Sequence, residues 1–173
     1  MAKMLAVLLA FISVVIVTCL KDLNAATVTA LFPVHVTVVP SCDISTTGLE
    51  FGLWSHAHGS LAANGTIGIV CGRGIDYHVS LSAGSHYGPG SNLRQLAGPD
   101  PNRLLPYALY KDASRTQEWG DQNFSNSYPQ GTSFPGTGTS RSQTHTVYGS
   151  VQGSTDRIPP GSYSDTVLVT VHF

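Results

Sequence analysis

From position 28 to 38 the chain alternates. Apolar side chains stand at Val28, Ala30, Phe32, Val34, Val36 and Val38, with Thr29, Leu31, Pro33, His35 and Thr37 between them. Successive side chains of an extended strand point to opposite faces, so a period of two over this length predicts a strand with one greasy face. The same pattern ends the chain: Val167, Val169, Val171 and Phe173 share one face, and Thr166, Leu168, Thr170 and His172 the other. That run follows Pro159-Pro160-Gly161, a turn signal. Stretches at 49–53, 65–71, 77–82, 106–110, 146–151 and 164–173 predict the remaining strands. Nothing reads as helix, because no stretch sustains an i, i+3, i+4, i+7 apolar pattern and Gly or Pro interrupts most windows. Residues 84–101 are rich in Gly and Pro, and residues 121–142 in Ser, Thr, Gly and Asn, so both are expected as surface loops or weak hairpins. About seven short strands spaced in this way predict an all-β fold, an immunoglobulin-like β-sandwich.

The first residues belong to a different pattern. Lys3 precedes an apolar run from 4 to 20 broken only by Ser13, Thr18 and Cys19; Lys21 and Asp22 close it, and Ala25 and Ala26 follow. Charge, greasy stretch and small-residue exit in this order predict a secretory signal peptide over residues 1–26. A retained anchor is the alternative, though the run sits at the short end of the roughly 17–25 residues a spanning helix needs. Cys19 raises a lipoprotein reading, but Thr18 stands where a lipidation signal usually wants a smaller residue. Removing the leader leaves about 150 residues, enough for one domain. No second apolar run of spanning length follows.

Charge and cysteines narrow the class. The net charge is −1 for the whole chain, and about −2 without the leader, which argues against nucleic acid as a partner. Of three cysteines, Cys19 leaves with the leader, so Cys42 and Cys71 are expected to pair in an oxidising compartment. Closing a loop of that length stabilises by about 3–3.5 kcal/mol in the chain-entropy account. A metal site is the rival reading, but two isolated cysteines lack the local pairing that zinc sites have.

The chain offers little catalytic chemistry. It contains no Gly-x-Ser-x-Gly, no phosphate-cradling Gly-x-x-x-x-Gly-Lys and no His-Glu-x-x-His. His56 and His58 have a spacing that metals use, but Gly59 and Ser60 follow at once and no third ligand is evident, so a solvated loop is expected. Asp76, His78 and Ser80 alternate on one strand face at an i, i+2 spacing of about 7 Å, too long for a triad's direct hydrogen bonds. They read as the polar face of a half-buried strand. Trp54, Trp119, Tyr107 and Tyr110 are either a sugar-binding platform or core, and burial tendency favours core. No catalytic, cofactor or metal site is expected, and no enzyme.

A set of short motifs then appears in order. An alternating segment leads into the first cysteine, Phe32-Pro-Val-His-Val-Thr-Val-Val-Pro-Ser-Cys42, followed by Leu49-Glu-Phe51-Gly52 and by Ile69-Val-Cys71-Gly. Tyr77-His-Val-Ser-Leu-Ser82 with Gly84, Leu105-Pro106-Tyr107-Ala-Leu109-Tyr110 and Trp119-Gly120 come next. Val147-Tyr148-Gly149 and Pro160-Gly161-Ser-Tyr163-Ser-Asp165-Thr-Val167 complete the series. Each is unspecific alone, but their order over essentially the whole mature chain resembles the spore coat protein U domain, shared with subunits of archaic chaperone–usher pili. Two departures stand out. Leu96 occupies a place where the family tends to have Met, and Pro33 removes one backbone donor from the leading strand.

The resemblance implies a sandwich that lacks one edge strand. A neighbouring subunit's N-terminal extension would fill the gap by donor-strand exchange, and a periplasmic chaperone would lend a strand to the same groove before assembly. Here the donor would be residues 27–39, with Phe32, Val34, Val36 and Val38 as plugs, ahead of a domain at 40–173. Val167, Val169, Val171 and Phe173 would line the groove and meet the chaperone. The implied role is a structural pilus subunit supporting surface adhesion and biofilm formation, exported through the periplasm to the cell surface with an outer-membrane usher as a further partner. Three alternatives stay open: a strand at 28–38 paired within its own sheet, a secreted carbohydrate-binding β-sandwich, and a spore or cell coat protein.

Overall fold

The computed structural model describes residues 26–55, 59–88, 92–153 and 158–173, and the chain forms two units, Met1–Thr37 and Val38–Phe173. The expected signal peptide therefore lies, but for its last residue, outside the described residues. In the first unit, residues 26–37 carry no strand and are exposed. This corrects the expectation of a strand at 28–38 in the chain by itself. Alternation supplies a greasy face, but a strand also needs a neighbour to satisfy its N–H and C=O groups.

Among its described residues the second unit has nine strands: β1 (Cys42–Thr46), β2 (Leu61–Cys71), β3 (Asp76–Leu81), β4 (Arg94–Leu96), β5 (Leu105–Tyr110), β6 (Trp119–Gln122), β7 (Phe134–Thr137), β8 (Gln143–Val151) and β9 (Val169–His172). No helix occurs among the described residues. A five-stranded sheet runs in the order β1-β2-β8-β5-β4, and a three-stranded sheet in the order β7-β3-β9. All the pairings within these two sheets are antiparallel; the longest joins β2 to β8 from Leu61 opposite Val151 to Ile69 opposite Gln143. Alternate positions of the facing strands close the core: Ile67 and Ile69 from β2, Tyr77 and Val79 from β3, Val147 and Val151 from β8. This is the expected all-β sandwich.

Four predicted strands appear with shifted ends, as β2, β3, β5 and β8. Two predictions are corrected. Residues 49–53 form no strand, since Gly48 and Gly52 take positive φ of 70° and 78° and turn the backbone out of the extended region. The run 164–173 shortens to β9, because the chain changes sheets on the way: Ser164 bridges Ala97 beside β4, whereas Leu168 already exchanges a hydrogen bond with Ser82 beyond β3. Strands β4 and β7 lie inside the stretches expected as loops or weak hairpins.

One buried cation ties the sheets together. Arg94 of β4 donates from Nε to Ser82 O and from Nη2 to Leu81 O and Trp119 O, at 2.8–2.9 Å, and its guanidinium stacks 3.8 Å from the centre of the Tyr128 ring. These carbonyls lie on β6 and around the end of β3, so one side chain satisfies buried acceptors that no ladder reaches.

Candidate functional site

One side of the sandwich is open. A cleft of about 940 Å³ has the inner face of the five-stranded sheet as its floor, where the buried side chains Ile67, Val147 and Leu109 line it. One wall is the segment 48–54, the other the segment 158–169 leading into β9. Apolar packing fixes the first wall. Leu49 lies against Gly149, where a Cβ would collide with its methyl carbons, and Phe51 meets Tyr107 edge-on at 6.3 Å. Trp54 half-buries its ring and donates from Nε1 to Gly59 O at 2.8 Å.

The cleft is bordered by unpaired backbone. β9 pairs with β3 on one side only and ends its sheet. Across the cleft, residues 49–53 make no main-chain hydrogen bond among the described residues, after a last one from Thr47 N–H to Thr66 O. A slot between a strand edge and an unpaired segment, over an apolar floor, is what one further strand would complete, as main-chain hydrogen bonds need partners on both sides.

The expected groove residues divide. Val167 and Val169 line the cleft, Val171 packs onto the core from β9, and Phe173 is exposed. The expected plugs Phe32, Val34, Val36 and Val38 are 89%, 80%, 87% and 88% exposed, a load of bare apolar surface that soluble proteins seldom carry without a partner. Cys42 and Cys71 are disulfide-bonded, directly opposite each other in the β1–β2 register.

Asp165 lies within one of the sequence motifs, where the pattern assigns it no role. Its side chain is 1% exposed in the second wall of the cleft. Tyr107 Oη donates to Oδ2 at 2.6 Å, Ser85 N–H donates to Oδ1 at 2.9 Å, and His86 Nδ1 lies 3.2 Å from Oδ1. Burial, and then the bond to Asp165, push the Tyr107 phenol far above its ordinary range, so it stays a donor.

The other clusters stay apart. Asp76 accepts from Thr137 Oγ1 at 2.8 Å, His78 Nδ1 meets Ser133 Oγ at 3.2 Å, and Ser80 Oγ meets His172 Nε2 at 2.9 Å. Each of the three has a different partner, and none bonds another. Trp119 and Tyr107 are buried, and Trp54 and Tyr110 half-buried, so the four aromatics do not share an exposed platform. His56 and His58 lie outside the described residues.

Comparison with known proteins places this geometry. A model of the Spore Coat Protein U domain matches residues 28–170. Protein U of Myxococcus xanthus is 28% identical over 164 residues, which cover 87% of each chain. Among solved structures, the chain is similar to one in the crystal structure of the CsuC–CsuE chaperone–tip adhesion subunit pre-assembly complex from archaic chaperone-usher Csu pili of Acinetobacter baumannii. The TM-score is 0.56 at 24% identity over 79% of this chain, which spans 40% of the other, so the likeness is one of fold.

Proposed function

The chain belongs to the Spore Coat Protein U domain family, and from that premise we propose that it is a structural subunit of a chaperone–usher type pilus, polymerised by donor-strand complementation. The observation that carries the reading is the cleft between the free edge of β9 and the unpaired segment 49–53, in a chain that also bears an exposed, one-faced apolar segment. Residues 27–39 of one subunit enter the cleft at 40–173 of the next, with Phe32, Val34, Val36 and Val38 pointing at the floor. Before assembly a periplasmic chaperone lends a strand to the same slot, against Val167 and Val169, and an outer-membrane usher then receives the subunit. The similarity in fold to a chain of a chaperone–adhesion subunit complex supports these partners. The role is structural rather than catalytic, on a route through the periplasm to the cell surface, where the fibre serves adhesion and biofilm formation.

The family's description favours a second reading, a coat protein assembled by the same strand exchange. A test of the strand-accepting site serves both. The mature chain, refolded with its disulfide closed, is mixed with a synthetic peptide of residues 27–39. Native mass spectrometry should find a one-to-one complex, with the thermal midpoint raised. A chain that ignores the peptide yet is retained on glycan resin would instead be the carbohydrate-binding module.

A further inference from the structure

Three motifs far apart in the chain meet at one carboxylate: Ser82 with Gly84, Leu105-Pro106-Tyr107, and the run from Tyr163 to Val167. Asp165 is held by the Tyr107 hydroxyl and the Ser85 N–H, with His86 alongside, and Ser85 Oγ adds a 3.4 Å bond to Thr166 O. Gly84 has a φ of +83°, and a Cβ there would collide with Asp165 Oδ2, so the approach requires glycine. Donors close around both oxygens of this buried side chain, which makes the cluster a rigid joint.

The joint sits where the cleft wall has least support of its own. Between Ser164, which bridges Ala97, and Leu168, which pairs with Ser82, the chain crosses from one sheet to the other. Residues 165–167 make no backbone-to-backbone hydrogen bond among the described residues, yet Val167 and Val169 face the cleft.

We propose that Asp165 is a positioning residue: by gripping Tyr107 and the 84–86 turn, it fixes the wall carrying Val167 and Val169 at the spacing an incoming strand needs. This rests on the cleft being a strand acceptor. Its consequence is kinetic. A wall set in advance keeps the whole population competent to bind, whereas a loosened wall lowers apparent affinity by the fraction that remains competent. Once a strand is seated, its own hydrogen bonds hold the wall, so dissociation changes little.

The test follows binding of the 27–39 peptide to the refolded mature chain by stopped-flow tryptophan fluorescence, since Trp54 lines the cleft. Asp165→Asn and Gly84→Ala should slow association about tenfold or more while dissociation stays within about twofold. Tyr107→Phe, which removes a single hydroxyl, should slow it less. Unchanged association overturns the proposal, and so does dissociation accelerated in step with slower association, which would make Asp165 a contact of the occupant. If the first two variants fail to fold by near-UV circular dichroism, Tyr107→Phe decides by the same criteria. A wild-type chain that does not bind the peptide sinks the strand-acceptor reading and this inference with it; a wild type that binds no faster than its variants sinks this inference alone.

Discussion

At the scale of single residues, the chain buries polar groups where its strands leave acceptors or donors over, and each carries a measurable cost. His145 on β8 is the titratable case. Its Nε2 lies 3.0 Å from the Tyr77 hydroxyl, and its ring packs 4.5 Å from that of Phe134. Burial holds the imidazole below its ordinary 6.5, so the unfolded chain takes up the proton first. Stability is then full above about pH 6.5 and falls as pH drops below it, levelling once the folded ring also protonates. His145→Gln should flatten that part of the profile. Urea midpoints of wild type and variant at several pH values between about 7.5 and 5 check this, and parallel curves would refute it. Arg94 and Asp165 are likewise buried polar groups, held by the acceptors and donors around them. Asp165 stands in a sequence motif, but nothing in the sequence reveals that it gathers Tyr107 and Ser85, or that Arg94 reaches three carbonyls. Convergence of distant segments has no local signature.

At the scale of elements, the 49–53 segment is the informative one. Leu49 and Phe51 turn toward the core while Glu50 stays exposed, so the side chains already alternate as a strand's would. What the segment lacks is a neighbour. An incoming strand between it and β9 would supply main-chain partners to both. Filling the cleft with the 27–39 peptide should therefore protect amides in 49–53 and along β9 from hydrogen exchange by about tenfold or more. Protection confined to β9 would mean that the first wall is only a lid of side chains. The same physics explains which elements were legible. β2, β3, β5 and β8 could be read because their partners lie in the chain, and alternation then suffices. The stretches 28–38 and 49–53 carry strand signals without forming strands, which is the pattern expected when a partner is missing. β4 and β6 are too short for alternation to register. β7, Phe134-Pro-Gly-Thr137, carries residues that argue against a strand, and it is tolerated because it sits at a sheet edge. β1 carries an alternation, Cys42 and Ile44 against Asp43 and Ser45, too brief to mark a strand by itself.

At the scale of the whole molecule, the proposed function gives one chain two different surfaces, a donor segment and an accepting cleft. A contact between unlike surfaces is heterologous, and when the operation relating successive copies does not close into a ring it propagates as a filament. Each plug side chain moved from water into the cleft contributes about 1.5–3 kcal/mol, so Phe32, Val34, Val36 and Val38 together support a fibre contact that does not fall apart on dilution. Deleting Thr27–Val34 removes two of the four plugs and most of the strand's length. The shortened chain should still fold around its disulfide and still accept a chaperone strand or the 27–39 peptide, since its cleft is untouched. It should no longer polymerise, because it has nothing left to place in the next cleft. Val34→Asp should come close to the same result in the full chain, since a carboxylate facing an apolar floor costs several kcal/mol unless it is paired. Thr37→Asp, on the opposite face of the segment, should be milder. Negative-stain electron microscopy of the assembled material, together with heat-resistant ladders on gels, reads both outcomes. Normal fibres from the deletion would show that polymerisation uses another surface, and a deletion that unfolds even with its cleft filled by peptide would return residues 28–38 to the chain's own sheet.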